Sequence, residues 1–182
     1  MNVDKLLMDN AKSIVEAMDK VADATLPQEI VDVVKLHSKL AVGSAWIPVP
    51  GADIAAGAAS IWGMYIRINN KIDLSFSENV MKTIGAGVAT NLASYVAMSG
   101  LASAVKFIPG IGTVGGALLM SAAMYALTLT SGYVYLRAIR VLAENNKNNF
   151  SSNELDAAIK KELSNKTAIK NFFEESKKTY KK

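Results

Sequence analysis

No cysteine occurs among the 182 residues, and histidine occurs once. That excludes a disulfide framework, thiolate chemistry, most zinc sites and any Cys–His or Ser–His–Asp arrangement. Proline is scarce as well, and Pro48, Pro50 and Pro109 each stand next to or near a glycine. Charge is missing over long stretches. No residue is charged between Lys82 and Lys106, and none between Lys106 and Arg137. No G-x-x-x-x-G-K-[ST] loop is present. Gly110-Ile111-Gly112-Thr113-Val114-Gly115 spells G-x-G-x-x-G. The dinucleotide fingerprint needs a strand before it and an acid roughly 20 residues later. Here Pro109 and a helical pattern precede it, and the next acid is Glu144. These glycines read better as turn formers and close-packing positions. No pair of acids lies in an apolar setting, and no basic-aromatic surface suits a nucleic acid. Catalysis, a cofactor, a metal site and nucleic-acid binding are therefore not expected.

What is present is apolar and helical. The hydrophobic fraction is 51%, with both ends charged and the middle nearly free of charge. Mean hydropathy is +0.20, lower than a simple multi-span transporter would show. The net charge of +4 comes from lysines interleaved with acids, which fits an anionic membrane surface better than a nucleic-acid groove. The length suits one domain with a sizeable core. The first residues carry Asp and Lys throughout and lack the apolar run of a signal peptide. Membrane insertion would then use internal segments. Strand-like alternation is absent and alanine abundant, so the expected fold class is all-α.

Residues 3–22 show helical spacing of Leu7, Ala11, Ile14, Met18 and Val21, which predicts an amphipathic helix. It suits its own domain, a membrane surface or a partner. Thr25 as N-cap and Pro27 in the first turn predict a second helix to about Ser44. Its stripe is Ile30, Val33, Val34, His37, Leu40 and Ala41; the solitary His37 reads as structural. Pro48, Pro50 and Gly51 then break the chain. Asp53 follows at a helix start, as a cap favoured by the helix dipole or as an ion- or proton-handling group. Ala55, Ala59 and Gly63 form a small-residue face on this helix. Trp46, Trp62 and Tyr65 suit either a membrane interface or a core. Ser75-x-x-Glu78 matches a capping box and predicts the next helix from near Phe76. Gly85, Ala89, Ala93 and Ala97 form another small-residue face on it.

The stretch from Lys82 to Arg137 organises the chain. Residues 83–105 and 107–136 each exceed the roughly 20 apolar residues that a bilayer core needs. Pro109, Gly110 and Gly112 reverse the chain between them. Gly112-x-x-x-Gly116 opens the second arm. This predicts a helical hairpin, inserted in a membrane or sealed in a protein core. Residues 46–65 and 107–126 share a plan: aromatic-Ile-Pro, glycine, a small-residue helix, then Met-Tyr. The echo is either a duplicated helix–turn–helix or two uses of one turn chemistry. The expected architecture is a bundle built on two Pro-Gly-tipped hydrophobic hairpins, with an amphipathic N-terminal helix. Residues 1–143 form the helical domain. Residues 144–182 form a polar, Lys-rich helical tail, its start marked by the capping box Ser151-x-x-Glu154.

The segments from Trp46 to Asp53 and from Phe107 to Ala117 resemble the YcjF-type hydrophobic domain of unknown function. That family pairs an I-P-[IV]-P-G-A-D start with a later F-I-P-G-I-G turn. The resemblance runs from about Leu36 to Ala143. It implies a bacterial, membrane-associated helical protein and no defined activity. Some members carry GTPase domains; this chain shows none, so a nucleotide switch would need a separate GTPase-domain protein. The expected role is non-enzymatic: hairpin insertion or docking in a lipid membrane, with homo-oligomerisation. A toxin-like pore former and a soluble oligomeric scaffold are the alternatives. If the hairpin spans, the positive-inside rule puts Lys82 and Arg137, at the open ends, and with them the termini on the cytoplasmic side of a bacterial inner membrane.

Overall fold

A computed structural model describes residues 28–44, 52–98, 114–145 and 150–171. Among these residues the fold is all-α, with no strand. Helix α1 is Gln28–Ser44, α2 is Ala52–Lys71, α3 is Glu78–Met98, α4 is Val114–Glu144 and α5 is Ser152–Ser164. A short α6 spans 166–171. The predicted N-terminal helix, Pro48, Pro50 and Gly51, and the Pro109–Gly112 turn lie outside the described residues.

Pair contacts fix the directions. Glu29 on α1 meets Lys71 at the end of α2, and His37 meets Ser60. These helices are antiparallel. Trp62 meets Gly85, and Asn69 meets Met81, so α2 and α3 are antiparallel too. On α4, Met124 faces Gly57, Ser131 bonds Tyr65, and Tyr135 bonds Asn69. Both numbers rise together, so α2 and α4 run parallel. Helix α1 packs against α2 and α4, and α3 packs against the same pair from the other side. The four form a bundle with α2 and α4 across its diagonal. The helix ends Ser44, Ala52, Met98 and Val114 therefore share one end. The α2–α3 turn and the end of α4 occupy the other.

The periodicity puts Ile30, Val34, Ile61, Met64, Tyr65, Ile68, Met81, Ile84, Val88, Leu92, Leu129 and Tyr135 in one apolar cluster. The α1 stripe differs from its expected course. His37, Ser38 and Ala41 are buried, whereas Leu40 is 56% exposed. Ser38 goes in because its hydroxyl donates to the Val34 carbonyl at 2.9 Å, which removes the cost of an unmade bond. That rotation turns Leu36 and Leu40 outward.

Helix α2 ends in a Schellman-type turn. The Leu74 N–H reaches the Asn69 carbonyl at 3.0 Å, and Asp73 takes φ 55° between them. Helix α3 starts later than the Ser75-x-x-Glu78 spacing predicts. Ser77 caps it through the Val80 N–H at 3.4 Å. Phe76 instead sits 6.0 Å from Phe150, ring to ring. Starting at Ser77 sends Met81, Ile84, Val88 and Leu92 inward. At Ser151 the capping box forms in both directions: the Glu154 N–H donates to Ser151 Oγ at 3.3 Å, and the Ser151 N–H to Glu154 Oε2 at 2.8 Å. Beyond it Leu155, Ile159, Leu163 and Ile169 are buried against α4 and α3. The described part of the 144–182 segment thus carries an apolar face that joins the same core.

Candidate functional site

Two features distinguish the bundle: where its helices approach most closely, and where its charges stop. The close approaches come first. A Cβ built on Gly85 would stand 2.9 Å from Trp62 Cβ and 3.2 Å from Trp62 Cα and N. A Cβ on Gly132 would stand 2.7 Å from Val34 Cγ1. Glycine is required at these two crossings because a methyl group has no room. Of the positions expected to pack, Gly85 and Ala89 are buried on α3, and Gly63 faces His37. Ala59 is half-buried, and Ala55 and Ala93 are exposed, so the face of α3 packs only along its first half. Gly116 and Asp53 lie in the first turns of α4 and α2, and their environments are outside the described residues. Sequence spacing passed over Gly57 and Gly132. An isolated glycine in an apolar helix such as Gly132 is the signal that marks such a crossing.

Between the crossings lies a buried polar network. The Tyr65 and Tyr135 rings stack with centroids 3.9 Å apart and planes 9° from parallel. The Tyr135 hydroxyl donates to Asn69 Oδ1 at 2.6 Å, and Asn69 Nδ2 donates to Met81 Sδ at 3.1 Å. The Tyr65 hydroxyl donates to the Ser131 carbonyl at 3.3 Å. Tyr65, which suited an interface or a core, is a core residue. The tyrosines and Asn69 stand 66 positions from their partners. The sequence echo has a different offset, so the repeated Met-Tyr pairs are staggered along the bundle rather than opposed.

His37 is buried, and its Nδ1 lies 2.9 Å from the Ser60 carbonyl. A carbonyl only accepts, so Nδ1 carries the proton and Nε2 is the bare nitrogen. Nε2 has no hydrogen-bond partner. Burial lowers the His37 pKa; the Ser60 bond opposes this and the Arg67 charge adds to it. The arrangement suits a neutral, structural imidazole. Among the described residues no group of three or more His, Cys, Asp or Glu comes together.

The charges are divided along the bundle axis. No charged residue follows Lys39 on α1 or Lys82 on α3, and none precedes Arg137 on α4. On α2 only Asp53 precedes Arg67. The opposite end is dense in ion pairs. Glu29 meets Lys71 and Glu78 meets Lys82, each at 2.7 Å, and the Lys82 ammonium lies 5.0 Å from the Trp62 ring centre. Arg137 bonds Glu162 at 2.8 Å and the Tyr133 hydroxyl at 3.1 Å, clamping α5 to α4. Those contacts raise the Arg137 pKa, the Tyr133 bond most. Among the described residues the result is a bundle with one ionic end and one almost uncharged end. Among the described residues no helix is long and apolar enough to cross a membrane. No protein family, no curated protein and no solved structure matches this chain.

Proposed function

We propose that this is a non-enzymatic helical protein that works at a lipid membrane, by docking or inserting its uncharged end and by self-association. The observation that carries the reading is the axial division of charge. The helix ends flanking both Pro-Gly segments share the end where charge is nearly absent. A bilayer accepts such an end and rejects the ionic one. Lys71, Lys82, Arg137 and Arg140 would then face the cytoplasm, which puts the termini on the cytoplasmic side of a bacterial inner membrane. The motifs shared with the YcjF-type domain support the same setting. A separate GTPase-domain protein is the partner they suggest.

Fractionation of cells expressing the full chain tests this. The protein is expected in the membrane pellet, released by detergent. Recovery in the soluble fraction without detergent overturns the reading. Dye release from vesicles would move it toward the pore-forming alternative, and a large detergent-free particle toward the soluble scaffold.

A further inference from the structure

Helix α1 has a second apolar face that the bundle does not use. Its inward face is Ile30, Val34 and Ala41 with His37 and Ser38. Outward, Leu36 is 42% and Leu40 56% exposed, one turn apart, and these are the exposed large hydrophobics among the described residues. Lys39 is exposed beside them. From Val33 to Ala52 the only charged residues are Lys35 and Lys39. At the other end of the helix the exposed carboxylates are Glu29, paired with Lys71, and Asp32. Along α1 the surface therefore changes from ion-paired to leucine-lysine as it nears the uncharged end of the bundle.

We infer that Leu36, Leu40 and Lys39 form a docking face for an anionic bilayer surface. The leucines enter the boundary between headgroups and acyl chains, and the lysine meets lipid phosphates. This rests on the membrane reading and adds the lipid class and the face that makes contact. The chemistry selects a bilayer over a second copy of the chain. A stable protein interface buries about 800 Å² on each partner, which two partly exposed leucines do not supply. A membrane surface needs only a few apolar side chains and neighbouring cations. The other end of α1 is occupied by ion pairs, which a bilayer does not accept, so the helix meets the surface with its Ser44 end down.

The test is flotation of the full chain with vesicles of phosphatidylcholine alone and of phosphatidylcholine mixed with phosphatidylglycerol. The wild type is expected on the mixed vesicles, less so in high salt. Leu36→Gln/Leu40→Gln is expected to weaken partition about tenfold, from the apolar area lost. Lys39→Gln is expected to weaken it roughly fivefold on mixed vesicles alone. Glutamine keeps helix propensity at exposed sites, and an unchanged far-UV circular dichroism spectrum verifies the fold. If both variants float like the wild type, this face is not the contact, although the membrane reading stands. A wild type that ignores both vesicles overturns both. Should the double variant turn a lipid-free oligomer into a monomer, the face belongs to a second copy and the inference falls.

Discussion

Gly85 and Gly87 are two residues apart on α3, and the same substitution should act on them with opposite sign. Replacing a mid-helix glycine by alanine gains about 0.5–1 kcal/mol, because glycine loses more backbone freedom on folding. At Gly87 a Cβ meets nothing within 4 Å. Gly87→Ala should therefore keep the whole gain. At Gly85 the Cβ would meet the backbone of Trp62 at 3.2 Å and its Cβ at 2.9 Å. A backbone cannot rotate away as a side-chain tip can, so α2 and α3 must separate. Overpacking of this kind costs about 1–3 kcal/mol, which exceeds the propensity gain. Gly85→Ala should lose a net amount on the order of 1 kcal/mol, and the two variants should differ by roughly 2 kcal/mol. For a chain of this length 1 kcal/mol moves Tm by about 2–4 °C, so the two melting curves separate clearly. Denaturant unfolding followed by tryptophan emission and by far-UV circular dichroism measures both, and Trp62 sits at the crossing itself. Equal stability for the two variants would refute the close approach of α2 and α3.

Two buried polar groups and one strained turn lead to further outcomes. Tyr135→Phe removes the donor that meets Asn69 Oδ1 at 2.6 Å and should cost about 1–3 kcal/mol, read as a lower denaturation midpoint with helix content unchanged. Asp73→Gly relieves the left-handed φ of 55° and should stabilise by roughly 1 kcal/mol in the same assay. The folded-state pKa of His37 lies below its ordinary 6.5, so the unfolded chain binds the proton more strongly and stability should fall as pH drops below that value. The His37 contribution to that slope is at most about 1.4 kcal/mol per pH unit, and a titration in which His37→Gln shows the same slope as the wild type would assign it elsewhere.

The helices were legible because their signals are local. Residues 28–44 read as one helix from the spacing of Ile30, Val34 and Ala41, and the Ser151–Glu154 box named its own partners. What escaped depends on contacts far apart in the chain. Nothing near Tyr135 announces Tyr65 or Asn69. Leu40 looked like a core residue because hydropathy favours leucine over Ser38, yet a serine whose hydroxyl returns to its own helix is inexpensive to bury. The start of α3 was misplaced because Ser75 and Ser77 are both competent caps, and only the inward register of Met81 and Phe76 against Phe150 decides between them. The glycines at the helix crossings divide the same way: Gly85 sat on a recognisable small-residue face, whereas Gly132 stood among larger neighbours.

A chain with two long uncharged stretches faces a conflict, since the surface that suits a bilayer does not suit water. The outer face of α3 eases it. From Thr83 to Ser94 its exposed positions are small and uncharged: Thr83, Ala86, Gly87, Thr90, Asn91, Ala93 and Ser94. The hydroxyls bond inside the helix, Thr83 to the Asn79 carbonyl at 3.0 Å, Thr90 to Ala86 at 2.9 Å and Ser94 to Asn91 at 2.6 Å. A donor already satisfied by its own helix loses little on leaving water, because no bond is left unmade. In water the same oxygens keep lone pairs for solvent. The face is thus tolerable on both sides of the boundary, which neither a lysine-rich nor a leucine-rich surface would be. On the proposed reading the leucine-lysine face of α1 would be more selective, since a lipid surface offers acyl chains and phosphates side by side. On the proposed membrane reading, one surface of the bundle would permit contact and another would direct it. The ionic end, where Arg137 holds Glu162, would remain in water on that reading.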